Sequence, residues 1–400
     1  MAASSSTRPG VWFEPFTPVV EAPFQTGVAG FLAPAVDLEV GVAELPQVRT
    51  YTSWHDFAYA FTARRGAWLP GWHPDALAWH AVQGFFANGG ARCHVAFYDP
   101  SATGDRAAAL AHAVAALAEV DADVVCAPSL AAAADRALLL RTLIGATEAA
   151  RTEQDARWFL VLDAPPPAPS EDVAAWIATA VAAHGGAGPF DAALYHPWLV
   201  PGGDVEACPG PAVAHVPPCG HVAGVYARSD RRAGVHRAPA NEELAAIVDL
   251  AGSPPETRLA NPIEVFPGRG IRVWGARTLG ATRDPNAGDS FVNVRRLVLT
   301  LERWLVRALA WAAFEPNDLR LWIRIQRELE DKLGDLFTRG ALAGRSPAEA
   351  FLVKCDAENN PAEARARGEL YVDVSVAPAA PQEFITIRLV RSAEGLTVAR

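Results

Sequence analysis

The chain has 400 residues, of which half are apolar and a fifth charged, a globular composition with enough length for two or three domains. Its 45 acidic and 35 basic side chains give a net charge of −10, which argues against a dedicated nucleic-acid binder, whose phosphate contacts need a basic surface. The charge is unevenly spread: residues 1–257 carry 14 basic and 27 acidic side chains, residues 258–400 carry 21 and 18. The opening MAASSSTRPGVWFEP has no apolar stretch of signal-peptide length, so Sec export is not expected. No run approaches the roughly 18 apolar residues of a membrane span, so membrane insertion is not expected either. Five scattered cysteines fit a reduced cytosolic protein better than a disulfide scaffold.

Along the chain, a small polar opening turns aromatic and β-prone over Gly10–Phe16. Val28–Leu32 and Val48–Tyr51 read as short strands, and Ser53 as the N-cap of a helix carrying Trp54, Phe57 and Phe61. A second helix follows Pro74 and stops at Asn88-Gly89-Gly90, before a buried strand over Cys93–Tyr98. A regular alternation comes next: helix Asp105–Glu119, strand Asp123–Ala127, helix Leu130–Arg151, strand Trp158–Leu162, helix Ser170–His184, strand Ala192–Tyr195. Short, wholly apolar strands between Ala-rich helices predict a mostly parallel sheet buried on both faces, an α/β architecture. Residues 197–221, rich in Pro and Gly, read as a loop.

The final third changes character. A strand over Ile271–Trp274 and a Gly/Asp loop lead into two long helices, Asn293–Phe314 and Asp318–Arg339. Each has one apolar stripe, and Glu315-Pro316-Asn317 separates them. Three β-prone segments follow, Phe351–Cys355, Glu369–Ala377 and Glu383–Val390. The last lies beyond Pro378 and Pro381, where a terminal strand can leave its own domain and pair elsewhere.

Candidate chemistry is sparse. Cys208, His215, Cys219 and His221 combine thiolate and imidazole, which zinc or nucleophilic catalysis would use, but the spacing matches no tight zinc knuckle. The plainer reading is a Pro-Gly loop with incidental Cys and His. His196 ends a predicted parallel strand, where α/β enzymes often place their sites. Gly268-Arg269-Gly270 precedes a strand instead of opening a helix, so it is a turn and not a phosphate loop. Arg277, Arg295 and Arg296 surround the Asp284–Asp289 loop, with Glu315 and Asp318 between the long helices. These charges are expected either as surface salt bridges or as a packing and subunit-contact network. The residues give no reason to expect a cofactor or a metal.

FPGRGIRVWGARTL (Phe266–Leu279), FVNVRRL (Phe291–Leu297), WAAFEPNDLRLW (Trp311–Trp322), GALAGRSPAEAFLVKCD (Gly340–Asp356) and VAPAAPQEFITIRL (Val376–Leu389) closely resemble the tail sheath proteins of contractile phage tails and related injection systems. RPGVWFEP, VAGFLAP, FFANGGARCHV, DAALYHPWL, VPPCGHVAGVYARSD and HRAPANEEL fall in the family's order, so the resemblance covers nearly the whole chain. Two departures stand out: Phe13-Glu14-Pro15 replaces a pair of acidic residues at the opening, and the outer region is compact.

The resemblance implies no enzymatic activity but a bacterial structural subunit that polymerises helically around an inner tube and contracts. It implies an N-terminal arm (1–20), an outer α/β domain (21–240), a conserved tube-proximal domain (241–378) with a long helix pair, and a C-terminal arm (379–400), with the terminal strands exchanged between subunits. Arm residues are then Val11, Trp12, Phe13, Phe384, Ile385, Ile387 and Leu389. Candidate interface charges are Arg277, Arg295, Arg296, Glu315 and Asp318, and candidate tube contacts are Arg365 and Arg367. Implied partners are other copies of the chain, an inner tube protein, baseplate and cap or terminator proteins, and sheath paralogues where a system encodes them. Assembly would occur in the bacterial cytoplasm, in a phage tail or an injection particle that can be released. The rival expectation is a cytosolic α/β enzyme using the Cys208–His221 loop or His196.

Overall fold

The computed structural model describes residues 25–37, 45–62, 72–100, 105–168, 172–186, 188–202, 213–252, 259–284, 287–379, 385–392 and 395–399. Apart from β3, which was not expected from the sequence, the first half alternates as its sequence predicts: β1 (Ala29–Asp37), β2 (Gln47–Tyr51), α1 (Trp54–Thr62), β3 (Trp72–Pro74), α2 (Ala76–Ala87), β4 (Cys93–Tyr98), α3 (Arg106–Leu117), β5 (Val124–Cys126), α4 (Arg136–Glu153), β6 (Phe159–Asp163), α5 (Val173–His184) and β7 (Ala192–His196). Aspartates start the helices. Asp75, Asp105 and Asp172 each accept amide hydrogen bonds from the first turn of α2, α3 and α5, satisfying donors that a helix leaves free at its N-terminus. Helix α4 begins at Arg136 and not at Leu130 as expected, because residues 130–135 form tight turns (Leu130 amide to Ala127, Ala133 amide to Leu130). The buried side chains of Leu130 and Ala131 hold these turns against the core.

Beyond β7 come β8 (Trp198–Pro201), α6 (Cys219–Ala233), β9 (Glu242–Glu243), β10 (Ile247–Ala251), β11 (Ala260–Phe266) and β12 (Gly270–Val273). The large sheet has the order β2-β4-β1-β5-β6-β7-β11-β12-β9, with β3 on β1. From β4 to β11 every neighbouring pair is parallel. Alternate residues of one strand serve opposite faces: Phe31 belongs to the core that includes α2 and α6, Leu32 to the one that includes α3, α4 and α5, as the two-residue strand period requires.

The expected loop over 197–221 is corrected at both ends, since β8 pairs with β10 and α6 opens at Cys219. Small residues make this helix possible. A Cβ on Gly220 would lie 2.1 Å from the Ala81 carbonyl oxygen, and one on Gly224 2.4 Å from that of Phe85. Helices α6 and α2 therefore touch backbone to backbone, which no larger residue permits. The boundary expected at 240/241 runs through a sheet, because β11 pairs with β7 and carries β12 and β9 with it.

A separate core begins with α7 (Val292–Ala308) and α8 (Leu319–Thr338), followed by β13 (Phe351–Lys354), β14 (Leu370–Val376), β15 (Ile385–Ser392) and β16 (Gly395–Ala399). Leu297, Leu301 and Leu305 of α7 and Ile325, Leu329 and Leu333 of α8 pack with Val353, Val372, Val374 and Val376. At about 2 kcal/mol for each fully buried aliphatic side chain, this stripe is the main driving force of the module. The four strands form one antiparallel sheet in the order β13-β14-β15-β16. The terminal strand thus pairs with its own chain, Val376 opposite Ile385 through Leu370 opposite Arg391.

Candidate functional site

Helix α7 joins the two cores. Its apolar stripe faces the C-terminal sheet, and a second stripe at helical spacing (Arg295, Arg296, Leu299, Glu302, Arg303, Arg307) faces the large sheet. On that face Leu299 joins the core with α2 and α6, while the charged residues find partners from distant parts of the chain. Arg295 Nε donates to Asp191 at 2.6 Å, and Arg151 reaches the other Asp191 oxygen at 2.9 Å. Arg296 forks onto Asp230 at 2.9 and 2.7 Å and touches Asp123 at 3.1 Å. Glu302 meets Arg157 at 3.0 Å. Arg303 and Arg307 share Asp121, Arg307 at 2.9 Å.

Burial sets the electrostatics of this seam. It works against the Arg296 cation, but Asp230 and Asp123 outweigh it and hold the guanidinium above the ordinary arginine range. Burial raises the carboxyls of Asp230 and Glu302 in spite of their arginines. At the rim, burial would raise Asp121, but the Arg307 and Arg303 bonds and charges prevail and lower it. Such pairs cost desolvation; what they supply is orientation, since removing one partner strands a buried charge.

The sequence-predicted residues divide accordingly. Arg295 and Arg296 are buried at an interface within the chain and pair with Asp191 and Asp123, just ahead of β7 and β5, and with Asp230 of α6, not with Glu315 or Asp318. Arg277 lies 4.3 Å over the Phe291 ring. Glu315 is half exposed, 3.8 Å from Arg324. Asp318 is the N-cap of α8, accepting the amides of Arg320 and Leu321 at 2.9 and 3.0 Å. Arg365 is exposed, with its guanidinium 5.8 Å from the Trp322 ring. Arg367 is tied to Glu369 by two bonds of 2.9 and 2.7 Å. Ile385, Ile387 and Leu389 lie on β15; Val11, Trp12, Phe13 and Phe384 lie outside the described residues. Sequence reasoning missed Asp121, Asp123, Asp191, Asp230 and Arg157, and the legible signal for them was the second stripe of α7.

The enzyme-like residues are dispersed. Cys208 lies outside the described residues and His215 is exposed, whereas Cys219 and His221 are buried in the first turn of α6. Burial, then His80, pushes the His221 imidazole down to about 3, so it is neutral. At the carboxyl ends of the parallel strands, where an α/β enzyme would open its crevice, the α6 N-terminus closes onto the sheet: the Cys219 amide donates to Asp163 at 2.8 Å. His196 is buried at the end of β7. Among the described residues, no three His, Cys, Asp or Glu side chains are placed to hold a metal ion, and no helix is long and apolar enough to cross a membrane.

The sequence profile of the phage tail sheath C-terminal domain matches residues 285–391, a span that holds α7, α8, β13, β14 and nearly all of β15. The tail sheath protein of Salmonella phage ViI is 28% identical over 173 residues, 41% of this chain. That of Enterobacteria phage T4 is 27% identical over 190 residues, 45% of the chain. These alignments span only 26% and 28% of the two phage proteins. Solved structures match end to end. A chain of the anti-feeding prophage baseplate shares 25% identity, covering 95% of this chain and 98% of that one at a TM-score of 0.67. The contracted anti-feeding prophage helical sheath shares 26%, covering 96% and 98%, at 0.65. The contracted sheath complex of an extracellular contractile injection system, PVC, shares 25%, covering 96% and 97%, also at 0.65. A sheath tail protein from Desulfitobacterium hafniense, 10% identical, shares the fold at 0.61 over 98% of this chain. The C-terminal part of the chain is therefore similar to the phage tail sheath C-terminal domain, and nearly its whole length shares its fold with sheath-protein chains of contractile injection systems.

Proposed function

We propose that the chain is a structural sheath subunit that polymerises helically around an inner tube and contracts to drive that tube through a target envelope. The observation that carries this reading is the end-to-end match to two sheaths described in a contracted state. The work is mechanical: subunits move as rigid bodies from an extended lattice to a shorter, wider one, and a small preference per subunit suffices because many act together. Two packed cores joined by a paired seam suit rigid-body motion. Heterologous contacts between copies extend an open helix instead of closing a ring. Partners on this reading are other copies, the tube protein, and baseplate and terminator proteins, assembled in the bacterial cytoplasm. Arg365 is the better candidate for a tube contact, since Arg367 is already neutralised by Glu369.

The C-terminal strand would act by exchange. The bonds that β15 makes with its own β14 can be made equally with a neighbour's β14, so exchange costs little once copies are concentrated. Negative-stain images of purified protein test the polymer: long hollow tubes or cogwheel-like rings are expected, and a discrete globular oligomer refutes the reading. Exchange is tested by cysteines at Ser375 and Thr386, which face each other across β14 and β15. Their disulfide should lock the strand in its own subunit and abolish tubes until a reductant is added. Tubes that form equally well under oxidation refute exchange.

A further inference from the structure

The three residues before β1 are held by side chains as well as by the sheet. Asp123, just ahead of β5, accepts the Val28 amide on Oδ1 at 2.6 Å and the Gly27 amide on Oδ2 at 3.0 Å. Its own amide donates to the Val28 carbonyl at 3.0 Å. The Thr26 hydroxyl lies beside Asp230, near the end of α6, and favours its carboxylate. Both carboxylates converge on Arg296 of α7, whose guanidinium also lies 4.6 Å over the Tyr226 ring. Gly27 has a φ of +73° and presses on α6, so a Cβ there would lie 2.5 Å from the Ala227 Cα.

Charge counting shows what this cluster requires. Two buried carboxylates share one guanidinium, which leaves a negative charge that the Gly27 and Val28 amides and the Thr26 hydroxyl must offset. The acids are satisfied only when residues 26–28 are seated and α7 is docked. We infer that Asp123, Asp230 and Arg296 form a two-way joint that couples seating of residues 26–28 to docking of α7, and through α7 to the C-terminal core. Such coupling is reciprocal, because loosening either end weakens the other by the same free energy. Joined to the sheath reading, on which this consequence rests, the joint passes tension on an N-terminal arm directly to the C-terminal core. The coupling itself does not depend on that reading.

Hydrogen–deuterium exchange on the full chain, kept dilute and unpolymerised, tests the joint from both ends. Arg296→Lys keeps the charge but cannot fork onto two acids. It should speed exchange about tenfold at Gly27 and Val28 as well as in 292–299. Gly27→Ala displaces the other end and should speed exchange about tenfold in 292–299, a segment it does not touch. Arg303→Lys, on the same face of α7 but paired with Asp121 at the rim and away from Asp123 and Asp230, should speed exchange at residues 26–28 far less than Arg296→Lys does. If a variant fails to fold, Thr26→Val removes a single hydroxyl and should give a change of about twofold to threefold in 292–299. The inference is overturned if each variant accelerates only its own segment. Coupling without tubes would refute the sheath reading alone; tubes without coupling would refute the joint alone.

Discussion

Asp163 offers a test in which the sign is fixed by burial. It ends β6 beneath the first turn of α6, and burial pushes its carboxyl up to about 7, against 3.8 for the free group, despite the nearby Cys219 thiol and the hydrogen bond from the Cys219 amide. An acid with a raised native pKa binds more protons folded than unfolded between those two values. Stability therefore falls as pH rises from about 4 to about 7 and stays reduced above that. At about 1.4 kcal/mol per pH unit, ionised Asp163 costs the native state up to about 4 kcal/mol at pH 8. Asp163→Asn keeps an acceptor for the Cys219 amide but carries no charge. It should match the wild type below about pH 4, pull ahead as pH rises, and exceed it at pH 8 by about 2 to 4 kcal/mol. Urea midpoints followed by tryptophan fluorescence, taken for both proteins across this range, measure the difference directly. A difference that does not change with pH refutes the argument, as does one that shrinks as pH rises.

Two further substitutions probe local packing. In an exposed helix Gly→Ala stabilises by about 1 kcal/mol, but Gly220→Ala, 2.1 Å from the Ala81 carbonyl oxygen, should destabilise by about 3 kcal/mol through overpacking; a raised urea midpoint would show that α6 and α2 do not touch here. Asp318→Ala removes the acceptor of two first-turn amides of α8 and should cost about 1 kcal/mol, whereas Asp318→Asn should be nearly neutral. Equal losses in the two proteins, measured by thermal melting, would show that charge and not capping matters there.

The helices and strands were legible wherever the period was carried by consecutive residues. Strand β4 matches its expected bounds, Asp105 starts α3, and the Glu315-Pro316-Asn317 break precedes α8, but α7 ends at Ala308 and not at Phe314 as expected, a 3-10 turn over Ala310–Phe314 taking its place. Helix α6 was missed because its first turn reads as Pro-Gly loop, and Gly220 and Gly224 make sense only against the α2 backbone. β15 was read as a strand able to pair with a neighbour; within one chain it pairs with β14, and a strand pattern states that an edge is needed, not whose edge it is. The amphipathic stripe of α7 was recognised, but its charged face was assigned to neighbouring loops or other subunits.

Local chemistry was decided by sequence alone: element type from hydrophobic period, helix starts from aspartate caps, and family resemblance from motifs in order. Tertiary structure decided which charges meet. Arg296 finds Asp230 at 66 residues' separation and Asp123 at 173, Arg303 finds Asp121 at 182, and nothing in the local pattern of either partner names the other. A carboxylate in sequence is only a solvated charge; its role depends on how much water the fold removes and which cation remains. The uneven charge along the chain is resolved the same way, since acids of the first 257 residues and arginines of the last third neutralise one another across α7.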